Sequence, residues 1–226
     1  MAKEPKRRLK EIIMFSLVAV FCFLVSLNIG AQDMETIKLP KPKLKSNFSV
    51  EEGILKRRSV RSYSSRELTM DQISQLLWAC QGITSAKGFR AAPSAGARYP
   101  LEIYLLKKDG VYRYIPEGHQ LQRTSTKDLR KDLDRVSGGQ RSVGEAPINV
   151  VICAVYERVT SRYGQRGIRY TDIEVGHAAE NIHLQAVSLG LASCPVGAFD
   201  DKSVSKVLNL SDKEKPIYII PVGYRR

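Results

Sequence analysis

The fold of this 226-residue chain depends on one stretch, Pro147-Ile148-Asn149-Val150-Val151-Ile152-Cys153-Ala154-Val155-Tyr156. Side chains alternate between the two faces of an extended strand, and here apolar residues occupy both sets of positions. A strand that is apolar on both faces is typical of the middle of a sheet that is covered on both sides. The stretch therefore predicts a central strand with further layers packed above and below it.

Other regions predict strands that join this one. Asp109-Gly110 is a dipeptide typical of a hairpin turn, and it lies between Leu101-Glu102-Ile103-Tyr104-Leu105-Leu106 and Val111-Tyr112-Arg113-Tyr114-Ile115. Near the end of the chain, the run Pro216-Ile217-Tyr218-Ile219-Ile220-Pro221-Val222-Gly223 is rich in β-branched and aromatic residues. We therefore expect an antiparallel hairpin and a final strand.

Three capping boxes predict where helices begin, because the first side chain of such a box bonds the N–H three residues later. They are Ser49-Val50-Glu51-Glu52, Thr69-Met70-Asp71-Gln72 and Thr171-Asp172-Ile173-Glu174. The third helix is expected to reach Leu189 and to end at Gly190, and its residues leave it little polar face, which predicts burial. The elements together predict an α+β fold with a mixed sheet and a long buried central helix.

Composition excludes several classes of function. The formal charge of +13 invites a nucleic-acid or membrane partner, but no zinc-finger spacing, heptad array or aromatic RNA-binding pattern accompanies it, so we predict no nucleic acid. The four cysteines form no CxxC pair and no Cys/His cluster, so we predict no metal. His177 and His183 point in different directions from one helix and are interpreted as packed or interface residues.

The amino-terminal part predicts three segments. Basic residues precede an apolar run over residues 12–29, followed by Gly30-Ala31-Gln32. Residues 1–31 are therefore interpreted as a signal peptide or an uncleaved membrane anchor. The domain is expected to be exported (periplasmic or extracellular), or anchored in the cytoplasmic membrane with the domain outside. Residues 32–48 are expected to form an extended proline-containing linker, and residues 49–226 the domain.

Two stretches are candidates for ligand binding. Lys56-Arg57-Arg58-Ser59-Val60-Arg61-Ser62-Tyr63 combines four cations and two hydroxyl side chains from serine, as suits a bound phosphate, but a solvated basic loop fits equally well. Between residues 88 and 100, small residues follow one another from Ala91 to Ala97. Small residues let the backbone approach a flat ligand, although a plain connecting loop has the same composition.

Five motifs in a fixed order resemble the FMN-dependent nitroreductase family, and within it the SagB-type (azoline) dehydrogenases. The resemblance covers residues 37–226. The motifs are RRSVRSY from Arg57, APSAGARYPLEIYL from Ala92, RYTDIEVGHAAENIHLQAVSLGL from Arg169, CPVGAFD from Cys194 and PIYIIPVGYR from Pro216.

The resemblance implies a three-layer α/β/α fold, with a mixed and mainly antiparallel sheet, that binds FMN. It implies that the FMN phosphate and ribityl chain are held by Arg57, Arg58, Ser59 and Arg61, with Arg225 completing the phosphate site. It places Pro93, Ser94, Ala95 and Gly96 against the isoalloxazine ring, and backbone N–H groups of Gly197 and Ala198 near the flavin N5 and O4 atoms. The family is homodimeric with FMN at the interface, so a homodimer is expected.

Tyr170 is the candidate for proton transfer. The azoline-oxidising branch uses a Lys-Tyr pair, and the matching position here is Arg169-Tyr170. Arginine does not give up its proton in proteins, so Tyr170 would have to act alone. An ordinary tyrosine at the start of a helix fits the position as well.

The resemblance implies an FMN-dependent oxidoreductase that passes a hydride through flavin N5 between a small or peptide-derived substrate and an acceptor. Three alternatives remain open. They are an NAD(P)H-dependent nitro or quinone reductase, a non-catalytic flavin-binding module, and a basic surface for anionic lipid or nucleic acid.

Overall fold

The computed structural model of the chain describes residues 35–226. Its strands are β1 (Thr36–Lys38), β2 (Leu101–Lys107), β3 (Gly110–Ile115), β4 (Gln120–Ser125), β5 (Ile148–Ala154), β6 (Ala192–Ser193) and β7 (Lys215–Gly223). Its helices are α1 (Val50–Lys56), α2 (Met70–Gln81), α3 (Arg130–Val136), α4 (Arg141–Glu145), α5 (Glu157–Tyr163), α6 (Arg166–Ser188) and α7 (Asp201–Leu208).

The seven strands form one sheet in the order β1-β4-β3-β2-β5-β7-β6, and every pair of neighbours is antiparallel. The stretch that predicted a central strand is β5, which lies between β2 and β7. All seven of its residues are buried. The central strand, the hairpin of β2 and β3 and the final strand are therefore confirmed.

Alternate residues of β5 belong to different cores, as its two-faced apolar pattern requires. Ile148, Val150 and Ile152 pack with buried residues of α2 and α6. Val151 and Cys153 point the other way, into a core shared with α3, α4 and α7. Burying each aliphatic side chain contributes about 1.5–3 kcal/mol. The sheet is thus covered by helices on both faces, and the predicted α+β fold of three layers is confirmed. The expectation of a mixed sheet is not met, because all its described strand pairs are antiparallel.

The segment predicted as an extended linker, residues 32–48, is extended but joins the domain. Thr36–Lys38 pairs with β4 as an edge strand, and Leu39 is buried. Farther along, Lys43 exchanges two hydrogen bonds with Gln75 of α2, its N–H donating to Oε1 at 2.8 Å and its carbonyl accepting from Nε2 at 3.1 Å. Proline keeps this segment out of helix, but an extended segment can equally pair with a sheet edge.

The long helix α6 begins five residues before the predicted start. Thr171 does not cap it, because its hydroxyl donates to the Gly167 carbonyl within the helix at 2.9 Å. The break lies instead at Gly164, which has a φ of 54°. One face of α6 is buried against α2 and the sheet. Ile173 lies on the opposite face and is exposed, and Ile168 is exposed near the start of the helix.

The amino-terminal prediction cannot be placed on this fold. The predicted signal peptide or anchor, residues 1–31 with the apolar run 12–29, lies outside the described residues. Within residues 35–226, no helix combines the length and the apolar character needed to cross a bilayer.

Candidate functional site

The cationic segment lies between two parts of the chain that are far away in sequence. On one side, the Val60 N–H donates to the Ser193 carbonyl in β6 at 3.0 Å. On the other, Tyr63 pairs with Arg225 near the carboxyl end of the chain. The Tyr63 hydroxyl donates to the Val60 carbonyl at 2.6 Å and so fixes the curve of the segment. We call the surface formed by Arg57–Tyr63, Cys194–Ala198 and Tyr224–Arg226 the cradle.

Two guanidinium groups of the cradle have no protein partner. The side chains of Arg61 and Arg225 are exposed and make neither a hydrogen bond nor an ion pair within residues 35–226. An arginine on a surface normally finds a carboxylate if one is near, because the charge-assisted bond is favourable. Two unpaired cations on adjacent segments therefore leave positive charge available for an anion.

Two side chains of helix α6 contact the guanidinium group of Arg57. Its Nη1 lies 3.5 Å from Nε2 of His183, and its Nε lies 3.7 Å from Oε1 of Glu180. Its side chain remains about one third exposed. Arg58 behaves differently, because its Nη1 donates to the Leu55 and Arg57 carbonyls at the end of α1. Of these two predicted phosphate ligands, Arg57 is the one with its guanidinium oriented by the site.

His183 connects the cradle to α6 as a neutral ring. Its Nδ1 lies 2.5 Å from Oγ of Ser193 in β6. Burial, and then the charge of Arg57, lower the pKa of His183 to about 4. The sequence interpretation of a packed histidine is consistent with its burial, but the contact with Arg57 was not predicted, because residues 57 and 183 have no relation in sequence spacing.

The segment after β6 presents free backbone donors beside the cradle. Val196 pairs with Ile219 of β7, and the chain then leaves the sheet. Gly197 and Ala198 are exposed, and their N–H groups donate to no group within residues 35–226. Gln140 holds this turn by donating from Nε2 to the Ala198 carbonyl at 2.9 Å. The predicted N–H donors are therefore placed next to the predicted phosphate ligands.

The thiol of Cys194 lies in the same place but is not a nucleophile at neutral pH. Burial raises its pKa, and the Arg61 charge and the Ser59 hydroxyl offset only part of that effect. A thiol reacts as its thiolate. Cys194 is accordingly a buried residue that packs beneath Ser59 and Arg61.

The small-residue loop forms a tight turn elsewhere on the domain. Ser94 Oγ accepts from the Tyr99 N–H at 2.9 Å, and Ala95–Ala97 make one short helical turn. Gly96 has a φ of 60°, and a Cβ there would lie 2.7 Å from Oη of Tyr163. Pro93 and Gly96 are exposed, whereas Ser94 and Ala95 are half-buried. Glycine is therefore required at this turn for its backbone and for space.

Tyr170 lies in the same part of the domain as the small-residue loop. Its ring packs edge-on against Tyr163, with centroids 5.3 Å apart and planes at 83°, and Tyr163 in turn covers Gly96. Tyr170 is half-buried, and the neighbouring Arg169 is exposed. The candidate for proton transfer is thus linked to the predicted ring-contacting loop through one aromatic side chain.

The loop and the cradle do not meet within one chain. No hydrogen bond or ion pair joins them among the described residues, and both are anchored on α6. The loop packs near Glu174 and the cradle near His183, nine residues apart, which is about 13 Å along a helix that rises 1.5 Å per residue. The structure therefore brings together Arg57, Ser59, Arg61, Gly197, Ala198 and Arg225, and separately Pro93–Gly96 and Tyr170.

Glu174 was missed by the sequence analysis. It is 1% exposed, and neither carboxylate oxygen has a hydrogen-bond partner. Burial raises its pKa to about 7, although Ser94, Arg90 and Gln81 each lower it in part. A signal was available, because Glu174 shares the i, i+4 stripe of Ala178 and Ile182 that faces the core. Within residues 35–226 no group of three His, Cys, Asp or Glu could hold a metal.

Comparisons with known proteins show which family shares strands β2 to β7 and the long helix α6. Residues 54–224 match the profile described as "Nitroreductase family". The chain is 42% identical over 195 residues to "Putative nitroreductase MJ1384" of Methanocaldococcus jannaschii, covering 84% of this chain and 97% of that protein. It is 28% identical over 135 residues to "Microcin B17-processing protein McbC" of Escherichia coli, covering 55% and 50%. A crystal structure described as a putative nitroreductase from Ralstonia eutropha JMP134 superposes with a TM-score of 0.79 at 28% identity, covering 87% and 92%.

The prediction that the domain is exported or anchored in a membrane is wrong. The match with the archaeal protein takes up 97% of that protein and leaves too little length for a counterpart of residues 1–31 outside the match. Basic residues before an apolar run are the pattern of a signal peptide, but that composition alone does not establish export.

Proposed function

Because the chain belongs to the nitroreductase family of oxidoreductases, we propose that it binds FMN and passes a hydride through flavin N5, between a small or peptide-derived substrate and an acceptor. The observation that supports this most directly is the cradle. It combines the unpaired guanidinium groups of Arg61 and Arg225 with unpaired N–H groups at Gly197 and Ala198. A ligand that suits both halves carries a phosphate at one end and a hydrogen-bonding ring at the other.

The residues of the cradle fit the FMN phosphate. Guanidinium groups bind phosphate oxygens through two parallel N–H bonds, and Arg57 and Arg61 from one segment are joined by Arg225 from another. Ser59 adds a hydroxyl donor. Arg58 has a smaller part in this proposal, because its Nη1 already donates to two carbonyls. The alternative of a solvated basic loop accounts less well for Arg57, which α6 holds in one orientation.

The ring would lie beside the turn after β6. FMN, when bound, supplies the atom that accepts and returns the hydride. The N–H groups of Gly197 and Ala198 would donate to ring heteroatoms, and such donors favour the ring when it holds more electrons. Gln140 keeps the turn in place by its bond to the Ala198 carbonyl. The protein's part is therefore to orient the ring and to adjust its electron affinity.

Tyr170 is the proposed proton-transfer residue. Arg169 cannot accept a proton at any relevant pH, so a proton would move at Tyr170 Oη. The edge-on contact with Tyr163 keeps the Tyr170 ring next to the loop at Gly96. This proposal needs Pro93–Gly96 to contact the ring, as the resemblance implies.

A homodimer would bring the small-residue loop and the cradle together. Within one chain the loop and the cradle are anchored about 13 Å apart on α6, so we propose that the loop of one copy faces the cradle of the other. The exposed apolar residues Ile54, Leu55, Ile168 and Ile173 support this, because they lie on α1, which ends directly before Arg57, and on α6, which carries Tyr170. Exposed apolar side chains in such numbers mark interaction surfaces.

The relatives support two substrate classes. The 28% identity with a microcin-processing protein favours a peptide-derived substrate. The 42% identity with a protein named as a nitroreductase favours reduction of small nitro or quinone compounds with NAD(P)H. Anaerobic mixing of the FMN-loaded protein with NADPH separates them, since flavin bleaching by NADPH supports the reductase and its absence supports a substrate-oxidising enzyme.

Titration with FMN, followed by quenching of flavin fluorescence, tests the proposed cofactor. A double change of Arg61→Gln and Arg225→Gln removes two charge-assisted bonds, and loss of each is expected to weaken FMN binding about tenfold or more. The matched control is Arg135→Gln on α3, whose side chain is exposed and paired with Asp132. Stoichiometric FMN in the double variant would show that the cradle is misplaced.

Turnover decides between an enzyme and a flavin-binding module without activity. Steady turnover of the FMN-loaded protein with any pair of electron donor and acceptor, above the rate with free FMN, supports the enzyme. Tight FMN binding without any such turnover would support the module. Binding of the protein to anionic vesicles or to DNA that falls steeply with salt would instead support the basic-surface alternative.

A further inference from the structure

The structure contains a buried acid directly beneath the small-residue loop. Glu174 projects from the third turn of α6, is 1% exposed, and neither of its oxygens makes a well-formed hydrogen bond. Next to it, Gln81 at the end of α2 is fully buried, and its Nε2 has no partner either. Buried polar atoms are nearly always paired. Ser94 and Gln81 both lie close enough to lower the pKa of the Glu174 carboxyl, yet neither makes a well-formed hydrogen bond with it. These buried polar atoms surround the carboxyl without fixing it, which calls for a functional explanation.

The surroundings of Glu174 connect it to the loop. Ser94 lies close enough that its hydroxyl lowers the pKa of the carboxyl, although it does not reach hydrogen-bonding geometry. Ser94 Oγ already accepts from the Tyr99 N–H at 2.9 Å, so the hydroxyl proton remains free to point at Glu174. Pro93 and Gly96, on either side, are exposed. Ser94 thus links a buried carboxyl to the exposed surface of the small-residue loop.

We propose that Glu174, as an alternative to Tyr170, takes up and releases the proton of the redox reaction through the hydroxyl of Ser94. The inference rests on the proposed function. A substrate oxidised by two electrons loses a hydride and a proton, and bound FMN would supply the acceptor of the hydride. The proton would bind Ser94 Oγ while the Ser94 hydroxyl proton moves to a Glu174 oxygen, so that Glu174 becomes neutral. Reduction of a substrate follows the same route in reverse.

The charges around Glu174 suit a group that changes its protonation near neutral pH. Within residues 35–226 the groups that affect it are Arg90 from the loop after α2, which favours the carboxylate, and Cys80 of α2, whose thiol stays neutral because burial and the Glu174 charge raise its pKa. Arg90 is itself engaged, donating to Gln81 Oε1 at 3.2 Å and to Glu117 at 3.2 Å. Glu174 therefore has one moderate cation and no ion pair. Burial opposes that cation, and both protonation states are accessible.

A structural role alone would not require these features. A buried carboxylate that stabilises a fold is fully bonded, as Glu102 is by Arg113 and Arg158 in this same chain. Glu174 has no such bonds and faces the one polar side chain of the turn. It acts through Ser94 rather than by touching the ligand.

The first measurement is the protonation of Glu174 without cofactor. In protein labelled with ¹³C at the glutamate carboxyl carbon, one resonance is expected to titrate near pH 7 and to be missing from Glu174→Gln. The control Glu157→Gln, which removes an exposed carboxylate from α5, should lose a different resonance and keep this one. If no glutamate resonance titrates near neutral pH, the proposal is overturned.

The second measurement is the proton uptake that accompanies anaerobic reduction of the bound FMN, followed with a pH indicator. Near pH 7 the wild-type protein is expected to differ from Glu174→Gln by a measurable fraction of a proton per flavin. Ser94→Ala should behave like Glu174→Gln, and Ser94→Thr, which restores a hydroxyl, like the wild type. Equal uptake in all four proteins would overturn the proposal.

Different experimental outcomes would overturn the proposed function and the role of Glu174. Protein that takes up no FMN overturns the proposed function and this inference with it. Protein that binds FMN and reduces normally, but whose Glu174 resonance and proton uptake ignore Ser94, overturns the inference alone.

Discussion

Nη1 of Arg57 lies 3.5 Å from Nε2 of His183. A guanidinium only donates hydrogen bonds, so Nε2 has to be the acceptor, and the ring proton has to be on Nδ1. Nδ1 then donates to Ser193 Oγ at 2.5 Å. One neutral ring thereby joins α1, α6 and β6, the three elements that bound the cradle. The low pKa of His183 follows from this position, because burial and the adjacent cation both oppose a charged ring.

Two substitutions separate the two contacts of His183. Glutamine can place its amide oxygen near the former Nε2 and keep an acceptor for Arg57, whereas asparagine can only replace the donor near Nδ1. We expect His183→Asn to weaken FMN binding about three- to tenfold more than His183→Gln, in the range of one weak hydrogen bond to a charged group. Fluorescence titration with FMN measures the difference. Equal affinities for the two variants would mean that Arg57 does not depend on His183.

Tyr63 supports the cradle from below. Its hydroxyl donates to the Val60 carbonyl at 2.6 Å and lies 3.2 Å from the Pro221 carbonyl, both in the buried part of the structure. Tyr63→Phe leaves those carbonyls without that donor and should lower the free energy of unfolding by about 1–2 kcal/mol, measured by urea denaturation. Tyr218→Phe on β7 is the control, since the Tyr218 hydroxyl makes no hydrogen bond within residues 35–226. Equal effects of the two changes would contradict this role for the Tyr63 hydroxyl.

Gly96 and Tyr163 should be energetically coupled. Gly96→Ala places a residue with a Cβ at a φ of 60°, which costs about 1–2 kcal/mol, and puts the Cβ 2.7 Å from Tyr163 Oη. The Tyr163 ring cannot retreat freely because Tyr170 packs against it. Tyr163→Phe removes the clashing oxygen, so the double variant should be about 0.5–1 kcal/mol more stable than the sum of the single changes predicts. A double-mutant cycle in urea measures this, and strict additivity would rule out the clash.

The strands of the sheet were predictable where the local sequence alone specifies burial or a turn. The pattern of residues 148–154 specifies burial on both faces, and Asp109-Gly110 specifies a tight turn, so β5 and the hairpin of β2 and β3 follow from local sequence. Strand β4 was missed, because Gln120–Ser125 is mostly polar and exists as a strand through its pairing with β3 and β1. The start of α6 was misplaced because Thr171 bonds a carbonyl within the helix, which a capping pattern does not reveal.

The site was predictable in its parts rather than in its arrangement. Arg61, Arg225, Gly197 and Ala198 were named from motifs. The structure pairs the segment of Arg61 with that of Arg225 through Tyr63, and with β6, which precedes Gly197 and Ala198, through Val60. Arg58 belongs to the same motif as Arg57 and Arg61, yet its guanidinium donates to backbone carbonyls at the end of α1. The separation of the loop from the cradle is set by the length of α6 between Glu174 and His183, and only the folded helix shows it.

Glu174 makes the stability of the domain depend on pH in a direction opposite to that of most carboxylates. Its pKa is raised from 4.5 to about 7 in the folded state, so between these values the folded chain binds more protons than the unfolded chain. Stability therefore falls as pH rises through this window. The full shift corresponds to at most about 3 kcal/mol, at 1.36 kcal/mol per pH unit. Glu174→Gln has no proton to lose, so its free energy of unfolding relative to wild type should increase from pH 5 to pH 8 by up to that amount.

Urea denaturation of both proteins across this range measures the difference, in which contributions from His183 and other groups cancel. A difference that stays constant with pH, or that changes in the opposite direction, would mean that Glu174 is ionised and paired in the folded domain, and the unpaired oxygens beneath Ser94 would then not describe the protein in solution.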